Sequence, residues 1–329
     1  MTRLMPPEAS AETRHAAAPL RRRLGSSPLR VFPLAIGGNA FGWTASPEAT
    51  NGILDAYWEL GGNFIDTADS YANGRSETLI GAWMHDRGNR EHVIVGTKIG
   101  KSAENPGLSS DAVSRAIEAS LLRLGTDYID LLYLHVDDEE TPFEETLVAL
   151  DENIRKGNVR HVGVSDHSGN RLIEARVIAA QLGLTPLIAV QSRYNLTHRT
   201  EFEGTLARVA AQQGLGVMPR FALDGGFLAG NYRSKTELDL NTTGNIVLGG
   251  DAQKHLNRRG QRILAALDRI AAEHESVPAT IAIAWLLSKP NIVAPVAGVS
   301  TPVQVADLVV AAEIQLTRQQ VAALDAVSD

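Results

Sequence analysis

The chain contains no cysteine. That excludes disulfides, thiolate metal sites, iron–sulfur clusters and cysteine nucleophiles. Aromatic residues make up only 5% of the sequence. Basic residues are also short: Lys and Arg number 31 against 38 Asp and Glu, a formal charge of −7. An acidic, aromatic-poor chain lacks the footprint of a nucleic-acid binder. No apolar run approaches the roughly 20 residues of a membrane span. What is present is ordinary for a globular protein: 44% hydrophobic and 21% charged residues in 329. Such a length suits about two average domains, or one α/β barrel of about 250 residues or more.

Residues 1–21 mix Pro, Glu, Arg, His and Ala without period and lack the apolar core of a secretory signal. They read as a flexible extension, and residues 22–329 as the folded domain. In that domain short apolar runs alternate with amphipathic segments. The runs are Val31–Ile36, Asn63–Ile65, Val93–Thr97, Tyr128–Leu134, Val159–Val164, Leu187–Val190, Leu215–Met218 and Ile292–Ala297. Most are too short and too uniformly apolar for half-exposed strands, and they fit parallel strands buried on both faces. Helix signals lie between them. Ser110 opens a segment with Val113, Ala116, Ile117, Leu121 and Leu124 at helical spacing, stopped by Gly125. Thr141-Pro142-x-Glu144 predicts a capping box, Lys156-Gly157 a helix end, Pro278 a helix start, and Thr317 with Gln320 a cap for a last helix. Strict strand–helix alternation means a parallel sheet, doubly wound or closed. The glycine cluster at 37–42 has the wrong spacing for a dinucleotide-binding Gly-x-Gly-x-x-Gly turn. Eight units favour a single (β/α)8 TIM barrel with its active site at the C-terminal rim.

The residues that end the runs carry the functional signal. They are Asp66, Lys98, His135, Ser165-Asp166, Gln191, Pro219-Arg220 and Gly298, roughly 30 residues apart. In a barrel all of them face one mouth. Singly each has a plain reading: Asp66 as a turn residue, His135 as a satisfied core imidazole, Tyr71 as a loop aromatic. The run Asp137-Asp138-Glu139-Glu140 reads as solvated charge before a helix, not as a metal site. Together, Asp, Tyr, Lys and His on neighbouring strand ends point to proton chemistry at a carbonyl. A tyrosine hydroxyl, with an ordinary pKa of about 10, becomes a better acid beside an ammonium. A carboxylate keeps that ammonium charged, and a neutral imidazole fixes the substrate oxygen. The electrons must then come from a bound organic hydride donor.

From about Arg22 onward the sequence resembles the aldo-keto reductase family. Arg23-Leu24-Gly25 and Pro33–Gly38 are similar to the family's opening. Asn63-Phe64-Ile65-Asp66-Thr67-Ala68-Asp69-Ser70-Tyr71, with Gly74, Ser76 and Glu77, resembles its signature most closely. Thr97-Lys98, Leu134-His135, Lys156–Ser165 and Gln191-Ser192-Arg193-Tyr194-Asn195 fall where the family has corresponding motifs. The resemblance implies catalytic roles for Tyr71 as general acid, for Lys98 with Asp66 in tuning it, and for His135 in orienting the carbonyl. It implies NADPH/NADP+ held across the barrel mouth, with NADH as a possible substitute. Ser165, Asp166 and Gln191 would hold the nicotinamide carboxamide, beside Arg220, with Gly37, Gly38 and Asn39 nearby. Phe221, Ala222 and the segment 223–230, including Leu223, Gly225, Gly226 and Leu228, would follow the pyrophosphate. Gly298, Ser300, Thr301, Gln304 and Asp307 would bind the adenosine end.

Several residues depart from the pattern. Asp166 stands where the family usually has Asn, and Arg220 where an aromatic stacks on the nicotinamide. The Arg220 charge is expected to disfavour the oxidised, positively charged ring. Ser300 and Thr301 replace a frequent basic residue and Leu308 a frequent Asn, which leaves Arg233 as the expected contact for a 2′-phosphate. Phe41 and Trp43 are expected on the substrate side, and Asn231–Ala252 is expected to form a long loop over the site. The resemblance implies a small-molecule carbonyl substrate, with no nucleic-acid or membrane partner, and a cytoplasmic protein. Potassium-channel β subunits share the fold and the catalytic set, so a cofactor-sensing regulatory subunit is the alternative function.

Overall fold

A computed structural model describes residues 20–234 and 252–329. Two short strands, β1 (Arg22–Arg23) and β2 (Arg30–Val31), pair antiparallel. The main sheet has eight strands. They are β3 (Ala35–Gly37), β4 (Phe64–Asp66), β5 (Ile94–Ile99), β6 (Ile129–Leu134), β7 (Val159–Ser165), β8 (Ala189–Arg193), β9 (Gly216–Arg220) and β10 (Val296–Gly298). All consecutive pairs are parallel, and β10 returns to pair with β3. A parallel bridge between Val217 and Ile292 links the two remaining edges, which makes the sheet a nearly closed barrel. Each expected apolar run contributes to a strand or its lead-in. The first is broken: Val31 belongs to the small hairpin, and the barrel strand begins only at Ala35.

The doubly apolar strands fill two cores. On β6, Leu132 and Leu134 pack outward against helices, while Leu131 and Tyr133 point into the barrel with Phe64, Ile94, Ala189 and Met218. This is the period-2 alternation of a strand buried on both faces. The hairpin closes the N-terminal end of the barrel. Leu24 and Val31 are fully buried in the inner core, and a Cβ on Gly25 would sit 2.2 Å from the Ile188 carbonyl oxygen. The barrel floor is therefore sealed, and access is from the strands' C-terminal ends.

Helices α1 (Pro47–Glu59), α2 (Arg75–Arg87), α3 (Ser110–Leu124), α4 (Phe143–Lys156), α5 (Gly169–Leu182) and α6 (Thr205–Gln213) follow successive strands. A short turn α7 (Ala252–His255) precedes α8 (Arg258–Glu273), α9 (Pro278–Leu287), α10 (Pro302–Val309) and α11 (Arg318–Ser328). Gly125 and Gly157 end α3 and α4 in the left-handed conformation, and Thr317 with Gln320 forms a capping box on α11. The expected box at Thr141 does not form. Asp138 accepts from the Thr141 hydroxyl and from the Glu140 and Thr141 N–H groups, so α4 starts at Phe143 without a side-chain cap. Residues 1–19 and 235–251 lie outside the described residues, and with them most of the expected extension and long loop. Among the described residues no helix is long and apolar enough to cross a membrane.

The α2–α3 contact offers a sharp test of packing against propensity. Gly81 lies inside α2, where Ala favours the helix by about 1 kcal/mol. A Cβ there would sit 2.5 Å from the Leu124 carbonyl oxygen. Gly81→Ala is expected to destabilise the protein by ~1–3 kcal/mol in urea unfolding. A gain in stability would show that this helix contact is looser than described.

Candidate active site

Tyr71 is positioned by a tight turn just beyond β4. Ala72, Asn73 and Gly74 are consecutively left-handed, with φ of 49°, 55° and 83°. Two polar side chains then anchor the turn. The Ser76 hydroxyl donates to the Gly38 carbonyl at 2.8 Å, and Glu77 accepts from Thr97 at 2.5 Å and from Arg123 at 2.7 Å. The Gly-x-Ser-Glu segment therefore ties β3, β5 and α3 to the tyrosine turn.

Behind Tyr71 lies a fully buried Lys98 ammonium. It donates to Asp66 Oδ2 at 2.5 Å and to the Thr67 carbonyl at 2.7 Å, and it reaches the Tyr71 hydroxyl at 3.5 Å. Burial pulls the Lys98 pKa down, but Asp66 and Tyr71 outweigh it, and the net shift is upward. Tyr71 behaves differently from the sequence expectation. Burial raises its pKa, and Lys98 only partly opposes this because Asp66 acts in the other direction. The His135 ring lies edge-on to Tyr71, centroids 6.0 Å apart, with its N–H of the main chain held by Ile99. Burial, then the charges of Lys98, Lys101 and Arg220, push its pKa down to about 2. The imidazole is neutral, and its buried Nδ1 has no hydrogen-bond partner.

A cavity of about 1010 Å³ opens over these groups. It is lined by Gly37, Asn39, Trp43, Asp66, Tyr71, His135, Asp166, Gln191, Arg220, Phe221, Ala222, Leu223, Gly225, Gly226, Gly298, Ser300, Gln304 and Asp307. Lys98 sits behind the lining. Ser165 is fully buried beside it, and its hydroxyl has no partner. Gln191 donates its amide to Asp66 at 2.8 Å, which leaves its carbonyl for a ligand. Gln304 accepts from the Ser300 and Thr301 N–H groups, so its carbonyl is occupied by the α10 cap.

Four placements correct the sequence reading. Phe41 is completely buried in the outer core, while Trp43, two residues on, is 59% exposed and lines the cavity. Arg233 is held at 2.7 and 2.8 Å by both oxygens of Asp268 and is absent from the lining. Gly38 and Leu228 are buried behind the cavity wall, and Thr301 serves as the α10 N-cap. Arg220 is not an uncompensated charge. Its guanidinium makes a two-pronged pair with Asp166, both bonds 2.9 Å. The two departures from the family pattern are thus partners.

Sequence reasoning missed several lining residues, Ser70, Ala72, Lys101, Val277 and Ala279, while Asp224, Asn231 and Tyr232 fall in the 223–230 and 231–252 segments expected at the site. Lys101 stands in the loop after β5, where spacing from Lys98 carries no signal. The anchoring role of Asp224 was not legible, because its partners are distant in sequence. Asp224 is fully buried and accepts from Arg193 at 3.0 Å and Thr197 at 2.7 Å, with His255 Nε2 2.8 Å away. His198, Asp224 and His255 are the one group among the described residues with metal-ligand spacing. The Arg193 charge on the same carboxylate makes this a hydrogen-bonded anchor for the loop after β9.

The family model for the aldo/keto reductase family matches residues 33–329. The chain is 32% identical to norsolorinic acid reductase stcV of Emericella nidulans over 89% of this chain and 77% of that protein. It is 33% identical to the putative aryl-alcohol dehydrogenase AAD14 of Saccharomyces cerevisiae, covering 91% and 84%. It is 32% identical to a probable voltage-gated potassium channel subunit beta of Oryza sativa, covering 87% and 89%. With this barrel and this cluster at its mouth, the chain belongs to the aldo/keto reductase family.

Asp69 provides a pH test of the site's polarity. Neither carboxylate oxygen has a hydrogen-bond partner, and burial, then Glu77, push its pKa up to about 7. The folded protein therefore keeps a proton that the unfolded chain loses near pH 4. The contribution of Asp69 to stability falls as pH rises from about 4 to 7. Asp69→Asn is expected to raise stability by roughly 2 kcal/mol at pH 8 and by little at pH 4 in urea titrations. An equal effect at both pH values would contradict this assignment.

Proposed function

We propose that the protein reduces an aldehyde or ketone to an alcohol, with NADPH as the hydride source. The observation that carries this reading is the Tyr71 hydroxyl and the neutral His135 ring facing one cavity, with the Lys98–Asp66 pair directly behind. The residues fit a nicotinamide dinucleotide. The unpartnered Ser165 hydroxyl and the free Gln191 carbonyl suit a carboxamide. Leu223–Gly226 offers backbone along the wall, and Gly298, Ser300 and Asp307 close the far end. The bound nicotinamide supplies the hydride.

His135 is neutral, so it can donate a hydrogen bond that fixes the substrate oxygen without taking its proton. Tyr71, kept protonated by burial, gives its proton to the developing alkoxide. Lys98 then stabilises the tyrosinate, and Asp66 keeps Lys98 charged and aimed. The indole of Trp43, exposed on the cavity wall, suits an aromatic carbonyl. Relatives named for norsolorinic acid and aryl alcohols support the same choice. Since Arg233 is engaged by Asp268, NADH is the second donor to test. The channel-subunit relative favours a second reading, a cofactor-sensing regulatory subunit, which differs by very slow turnover.

NADPH oxidation with benzaldehyde tests the reading. Tyr71→Phe is expected to lose about 10²–10⁴-fold in rate while still binding NADPH. Equal rates would remove Tyr71 from its role. The Asp166–Arg220 pair makes a further expectation. Asp166→Asn frees the Arg220 charge beneath the ring, so Kd for NADP+ relative to NADPH should rise about tenfold, close to 1.4 kcal/mol. An unchanged ratio would place the guanidinium away from the nicotinamide.

A further inference from the structure

Among the described residues the charges around the mouth stand mostly in pairs; the Asp307 carboxylate after β10 and one cation have no ion pair. Lys98 is matched by Asp66 and Arg220 by Asp166, and His135 is neutral. Lys101 is left. It lines the same cavity and forms no ion pair among the described residues. Its backbone is fixed: Gly100, with φ of 107°, turns the chain over the end of β5, and the Gly107 N–H closes the loop onto the Gly100 carbonyl. The strand order places Trp43, Tyr71, Lys101 and His135 after four adjacent strands, β3 to β6; β10, which leads into Gly298–Leu308, pairs with β3, so Tyr71, Lys101 and His135 follow strands two to four positions away from it.

We infer that the site selects carbonyl substrates carrying an acidic group, a carboxylate or its equivalent, which Lys101 holds while the carbonyl meets Tyr71 and His135. The inference rests on the reductase reading and adds the substrate's charge to it. Lys101 is the specificity residue. Arg220, its charge paired with Asp166, lines the same cavity. Burial pulls the Lys101 pKa down; Asp166 is the largest charge acting on it and opposes this, and Arg220 and Lys98 add smaller downward effects. The net shift is downward mainly through burial, and an incoming anion would favour the charged ammonium. Lys101 is exposed on the cavity wall, where an anion entering from solvent reaches it.

The test uses 3- and 4-carboxybenzaldehyde and their methyl esters, with the full chain and saturating NADPH. Each acid and its ester share a ring and an aldehyde and differ in charge. The wild-type ratio of kcat/KM for acid over ester should fall about tenfold in Lys101→Met, the size expected for one partly solvated charge-assisted hydrogen bond. Lys101→Glu should turn the preference toward the ester. Raising salt should shrink the acid's advantage in wild type. An acid-to-ester ratio equal in wild type and Lys101→Met overturns the inference.

A second readout needs no turnover. Calorimetric titration of the protein with NADP+ present should show benzoate binding about tenfold more weakly to Lys101→Met than to wild type. Identical Kd values overturn the anion site. If neither aldehyde is reduced but benzoate binding still depends on Lys101, the reductase reading fails and the anion site stands. If the esters are reduced as well as the acids, the reductase reading stands and the anion site fails.

Discussion

Everything at the barrel mouth depends on the buried ammonium of Lys98. An unpaired charge there would cost several kcal/mol, so Asp66 must face it, and the pair then constrains its neighbours. Asp66 also accepts from Gln191, on the far side of the barrel, and Lys98 reaches both the Thr67 carbonyl and Tyr71. Three strands and the tyrosine turn are thus tied through two side chains. A buried ion pair is weak evidence for stability, because apolar residues of similar volume often serve as well. Its presence where a titratable hydroxyl meets a cavity is better explained by chemistry.

The same rule, that buried or crowded charges come in pairs, explains the unusual residues nearby. Asp166 and Arg220 lie 54 positions apart and look like two separate anomalies in the sequence. In the fold they form one two-pronged pair on the cavity wall, and the planar guanidinium is held by its own carboxylate. Arg193 and Asp224, 31 positions apart, repeat the arrangement one step further along the wall. Once these pairs are removed from the balance, Lys101 is the remaining cation among the described residues of the cavity lining.

Much of this was legible in the sequence because a parallel barrel puts every strand's C-terminal end on one face. Asp66, Lys98, His135 and Gln191 each end an apolar run, and the fold needs only eight such runs to bring them together. The turn glycines and the capping box at Thr317 follow from local rules, and they appear where expected. What was not legible depends on contacts distant in sequence. Phe41 and Trp43 are both aromatic and two residues apart, yet one is core and the other lining, which only the packing decides. Thr141 lost its capping role to Asp138, and Arg233 is paired with Asp268, 35 positions away. Tyr71 shows the limit of pairwise reasoning: the ammonium acts in the expected direction, but burial is larger.

The most direct measurement is the single-turnover rate of carbonyl reduction by the double variant Lys98→Met/Asp66→Asn, which keeps Tyr71 and His135. Removing both charges leaves no unpaired ion, so the variant should fold and bind NADPH. If the pair exists to serve the tyrosine, the chemical step slows at least 100-fold, within the range for a general acid that has lost its tuning. A variant that binds NADPH normally and reduces the carbonyl at the wild-type rate would contradict the central claim.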